Sequence, residues 1–140
     1  MSGIVVGSDG SEASRYAVQW AAREAGLLGE PLRVVHVLQR WLFEMPDSGP
    51  HTEVGRWARD DARAVVEEAA QHAREAVPDA DVSADVVPGD PRPGLIDAAK
   101  DATMLVVGGR GEGGFAGLLL GSVSRGVLHH AHCPVMVVPA

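Results

Sequence analysis

Five short runs rich in valine, isoleucine and leucine, at residues 4–8, 32–38, 82–87, 104–108 and 135–138, are separated by longer segments of helical periodicity. Runs of this length that are mostly apolar suit strands covered on both faces, and strands that alternate with helices are joined in parallel through crossovers. The alternation therefore predicts an α/β fold, an open parallel five-stranded sheet with helices on both faces, Rossmann-like in class. Between the first two runs, Ala13, Ala17, Trp20, Ala21 and Leu28 share a helical face that Ser11 is placed to cap. Val54, Ala58, Ala62, Val65, Ala69 and Ala73 form a second stripe, closed by Pro78. Leu95, Ala98 and Ala99 predict a short helix after Pro93, and Val123, Val127 and Ala131 another that stops before Pro134. Residues 45–50, with two prolines and a glycine, are expected to be the mobile loop. No internal repeat or linker interrupts the 140 residues, so 1–140 reads as one domain with one core.

The fourth run leads into GGRGEGGFAGLLLGS, residues 108–122. The order is strand, glycine loop, helix start, with the spacing Gly108-x2-Gly111-x9-Gly121-Ser122. Glycine tolerates positive φ and carries no side chain, so such a loop can aim several backbone N–H groups at one anion. The first turn of the following helix, Ser122 to Ser124 with Val123 between, adds unpaired N–H donors, the positive end of the dipole and the Ser122 hydroxyl. Ser124 either assists Ser122 or caps the helix. Arg110 and Arg125 are the nearest cations in sequence, as surface residues or as supplementary charge for a phosphate chain. Two commoner phosphate patterns do not fit. Gly109-x-Gly111-x-x-Gly114 has the dinucleotide spacing, but the helix starts too late and no acidic residue follows to take a ribose. A Walker A loop needs Gly-Lys-Ser/Thr, and the only lysine of the chain is Lys100.

The glycine spacing, the opening IVVGSDGS, the middle VVPGDPRPGLIDAA and the ending GSVSRGVLHHAHCPVMVVP together resemble the ATP-binding universal stress proteins, in the same order along the chain. The resemblance is weakest between residues 39 and 80. It implies strand order 3-2-1-4-5, with a ligand crevice beyond the carboxyl ends of the first and fourth strands, where the strand order reverses. It further implies ATP as ligand, with Gly108, Gly111, Gly121 and Ser122 at the phosphates and Mg2+ or Mn2+ held through the phosphate oxygens. Asp9 and Val37 would hold the nucleoside, Gly7 would leave room beside the adenine, and Gly89 would rim the pocket. Each has a plainer reading: Asp9 as a turn or capping aspartate, Gly7 and Val37 as packing, Gly89 as a turn. The resemblance also implies a homodimer through the last strand, residues 134–139, at a sheet edge with no charge to blunt it. A family member that binds no ATP and acts as a dimeric interaction protein is the alternative, although such members carry an altered loop and this one is intact.

Composition narrows the remaining classes. The net charge of −7 leaves no basic footprint for nucleic acid or an anionic membrane surface. After Glu112 there is no Asp or Glu, so the half that carries the glycine loop is compatible with an anionic ligand. No run approaches the ~18 apolar residues of a membrane span, and the N-terminus lacks the basic region of a signal peptide. With Cys133 the single cysteine, the expected setting is cytoplasmic. His129 and His130 diverge by about 100° on a helix, so His129, His130 and His132 read as helix-end residues rather than metal ligands. Cys133 has no visible base to activate it. No activating base or electrophilic lysine is evident for ATP chemistry, so weak ATPase activity at most is expected.

Overall fold

A computed structural model describes residues 3–50, 52–109 and 121–139. Five strands, β1 (Ile4–Gly7), β2 (Leu32–Leu38), β3 (Val82–Pro88), β4 (Met104–Gly108) and β5 (Val135–Val138), form one parallel sheet in the order β3-β2-β1-β4-β5. The helices are α1 (Glu12–Leu28), α2 (Arg40–Phe43), α3 (Glu53–Ala76), α4 (Pro91–Ala98) and α5 (Ser122–His130). Register runs Ile4 opposite Leu32 and Met104, and Leu105 opposite Val135.

The one core expected is instead two, because alternation along the strands divides the apolar runs between the faces of the sheet. Ile4, Val6, Val34 and Val106 pack with Ala17, Val18 and Ala21 of α1 and Val66, Ala69 and Ala73 of α3. Val5, Val35, Leu105 and Val107 point the other way, onto Leu95 of α4 and Val127 of α5. Full burial of each such valine stabilises the fold by roughly 1.5–3 kcal/mol. The many alanines of α1 and α3 let these helices approach the sheet and each other closely. Among the described residues, no helix is long and apolar enough to cross a membrane.

Several local expectations are corrected. Ser8 lies beyond β1, although its N–H still bonds Val35 O at 2.9 Å. Helix α2 is an addition in the stretch where the resemblance is weakest. Helix α4 begins at Pro91, not after Pro93, because a proline in the first helical turn loses no intrahelical bond. Leu28 and Val54 are exposed, and in α3 the buried set is Gly55, Ala62, Val66, Ala69, Ala70 and Ala73. Val65, expected in the stripe, is half-buried over Gly10, and Val66 takes the buried place one position on. In β3, Ser83 and Asp85 are exposed and Val82, Ala84 and Val86 half-buried, the pattern of an edge strand. The 45–50 segment, expected to be mobile, is fastened by Arg59, which donates to Leu42 O at 3.0 Å and Met45 O at 2.9 Å and pairs with Asp47.

Candidate functional site

The strand order reverses between β1 and β4, and the loops leaving these two strands diverge to opposite layers. Past β1, Asp9 Oδ1 accepts the Ser11 N–H at 2.9 Å, while Gly10 takes φ +83°, a left-handed conformation that other residues rarely adopt. Ser11 then caps α1, its Oγ accepting the Ser14 N–H at 3.2 Å. Ser14 Oγ returns a bond to Ser11 O at 2.9 Å and lies 3.4 Å from Ser8 Oγ. Asp9 thus makes the turn of its plainer reading and still stands at the crevice.

Past β4, Gly109 N–H donates to Val138 O at 2.9 Å, and Gly109 O accepts the Gly121 N–H at 2.8 Å. The chain therefore departs and returns at one point. Gly121 is extended (φ −66°, ψ 161°) and offers α5 no side-chain cap, and the first helical bond runs from Arg125 N–H to Gly121 O at 3.0 Å. The N–H groups of Ser122, Val123 and Ser124 precede that bond and have no acceptor within the helix. Ser122 is exposed, Val123 packs on the second core, and buried Ser124 donates its hydroxyl to Gly108 O, locking the start of α5 to the end of β4. Arg110 and Gly111 lie outside the described residues.

Close approach explains two of the glycines. A Cβ on Gly108 would stand 2.9 Å from Ala13 O, so α1 presses its first turn against the end of β4. A Cβ on Gly7 would stand 2.9 Å from Leu95 Cδ1, so the space beside Gly7 is filled by α4. Val37 packs against Gly94 at the start of α4, where a Cβ would meet its Cγ1 at 2.8 Å. Gly89, at φ +137°, donates to Leu38 O at 2.9 Å and turns the chain at the rim of β2 and β3. All described members of the expected set thus lie at the carboxyl edge of the sheet.

Sequence reasoning overlooked His36 and the serine network. His36 Nδ1 donates to Ser8 O at 2.8 Å, fastening the loop after β1 to β2. Its only sequence signal is a polar residue inside an apolar strand. Burial pushes the Cys133 thiol above its ordinary pKa, partly offset by a backbone hydrogen bond from Leu105, so the thiolate is disfavoured. Among the described residues, no three His, Cys, Asp or Glu side chains converge as a metal site.

Chemically, the arrangement offers backbone donors and the positive ends of α1 and α5 at one crevice. The family model "Universal stress protein family" matches residues 1–139. The universal stress protein Rv2623 of Mycobacterium tuberculosis is 43% identical over 143 residues, covering 97% of this chain and 47% of its own length. This chain thus spans about half the length of the curated relatives it matches. Among solved structures, a universal stress protein from Archaeoglobus fulgidus is similar at a TM-score of 0.76 and 28% identity, covering 98% of both chains. A universal stress protein in complex with cAMP is similar at 0.75 and 28%, covering 99% of this chain and 96% of that one. The Archaeoglobus fulgidus protein in complex with dAMP gives 0.72 and 26%, covering 98% and 97%. With a family match along nearly its whole length and a relative at this identity, the chain belongs to the universal stress protein family.

Proposed function

We propose that the crevice between β1 and β4 binds ATP and that the protein serves as a nucleotide-loaded regulatory module of the stress response. The observation that carries this reading is the start of α5, where an extended glycine without a side-chain cap leaves three N–H groups with no acceptor within the helix, beside Gly108 and Gly109. A phosphate chain satisfies such groups and the helix dipole together. The relatives solved with cAMP and dAMP support an adenine nucleotide as the ligand class. In this reading Gly108, Gly111, Gly121 and Ser122 hold the phosphates, with Arg110 adding charge and Val123 and Ser124 contributing N–H groups. Asp9, Val37 and Gly89 bound the nucleoside end, whereas Gly7, expected to leave room beside the adenine, has that room taken by Leu95. Mg2+ or Mn2+ would enter with the nucleotide, held by phosphate oxygens and water rather than by a protein cage.

The test is titration calorimetry with ATP and Mg2+ or Mn2+, on the wild type and on Gly121→Val. Valine adopts the extended backbone of Gly121 without strain, so the variant is expected to keep its fold and lose the binding heat through added bulk at the phosphates. A wild type that gives no saturable heat overturns the proposal.

A further inference from the structure

Helix α5 carries a glycine at its centre, and a mid-helix glycine costs roughly 0.5–1 kcal/mol relative to alanine. Gly126 is buried, and a Cβ there would stand 2.9 Å from Arg92 Cγ and 3.2 Å from Arg92 Nε, with Cδ closer still. The glycine thus admits the stem of Arg92, which crosses from the start of α4 and lies along α5. His130, four residues on, shares that face of the helix.

Arg92 lines a hollow of about 530 Å3 between α4 and the end of α5, with Pro93 and Ile96 on its apolar part and Lys100, His130 and His132 around it. Asp97 is the one acid among the lining residues. In a chain with 19 acidic and 12 Lys and Arg residues, the only lysine and an arginine seated on a glycine both line this hollow. Cations beside the apolar surface of Pro93 and Ile96 match a ligand that is itself divided.

We propose that this hollow is a second binding site, separate from the crevice at β1 and β4, for a small organic oxyanion: a carboxylate or phosphomonoester carried on an apolar body. Arg92 and Lys100 take the anionic head, and Pro93 and Ile96 take the body. The proposal does not depend on nucleotide binding.

The experiment is a titration followed by NMR on the full chain, with phenyl phosphate and octanoate as probes, inorganic phosphate as head alone and phenol as body alone. Saturable shifts at Ile96, Lys100, His130 and His132 are expected with phenyl phosphate, octanoate or both, which tells the two head groups apart. Inorganic phosphate and phenol should bind at least tenfold more weakly. Exposed Lys100→Glu, and separately Arg92→Glu, should each weaken the organic anion at least tenfold while the remaining spectrum stays folded. Absence of shifts with both organic anions, binding of inorganic phosphate as tight as theirs, or affinity unchanged in both variants overturns the site.

Discussion

Gly108→Ala and Gly109→Ala differ by one position and one methyl group, yet they should behave very differently. At Gly108 the new Cβ would lie 2.9 Å from Ala13 O, 3.0 Å from Ala13 C and 3.3 Å from Ala13 Cβ. Ordinary van der Waals contact begins a few tenths of an ångström further out, and the obstructing atoms are mostly backbone, so no rotamer change relieves the overlap. Both sides are fastened: the first turn of α1 by the Ser11 cap and the Asp9 turn, the end of β4 by the Ser124 hydroxyl. Overpacking of this kind costs about 1–3 kcal/mol. At Gly109 the nearest atoms are Val137 Cγ1 and Val138 O, both at 3.6 Å, and the backbone is not among the positive-φ glycines. Alanine fits there, and its reduced unfolded-state freedom offsets small losses. In urea unfolding, with a slope of ~2 kcal/mol per molar, Gly108→Ala should lower the midpoint by about 1 M, and Gly109→Ala should shift it by less than about 0.3 M. Equal midpoints for the two variants would refute the claim that α1 is pressed against the end of β4.

Two further predictions concern activity and assembly. ATP turnover should stay far below the ~10 per second of ordinary enzymes, because the sequence shows no evident activating base or electrophilic lysine and His36 already bonds a carbonyl; a phosphate-release assay checks this, and turnover in the enzyme range that disappears in Gly121→Val shows a missed catalytic group. A homodimer should form by antiparallel pairing of the β5 edge with its own copy, and Met136→Lys should dissociate it in sedimentation at micromolar concentration, whereas a monomeric wild type or an unaffected dimer defeats the idea; Met136 is 37% exposed, while Val137 packs on the second core, where lysine would damage the fold as well.

The sheet was legible because its apolar runs carry the local signal, whereas the order of the strands came from family resemblance rather than from periodicity. Helix α2 was not legible: four residues are too few to display a period, and the helix lies against α3. The α3 stripe was half legible, since periodicity reports a helix and one apolar face but not which of two adjacent residues, Val65 or Val66, turns fully inward. At the site, the Gly-Ser start of α5 could be read from the chain alone. The reasons for Gly7, Gly108 and Gly126 could not, because Leu95, Ala13 and Arg92 approach them from distant parts of the sequence. A glycine that serves close approach carries no local mark of its partner.

Gly7 and Gly108 end neighbouring strands but face opposite layers, Gly7 toward α4 and Gly108 toward α1. Both helix layers therefore close in on the point where the strand order reverses. In the proposed reading the ligand meets there the N–H groups opening α5 and the turn held by Asp9. An anion suits such a surface, since N–H dipoles fixed by the fold need no reorganisation to receive it. Truncation to alanine removes little from a surface of this kind. For the proposed site the informative substitution adds bulk where glycine stands, and Gly121, whose extended backbone accepts a side chain, is that position, since bulk at Gly108 also pushes α1 off the end of β4.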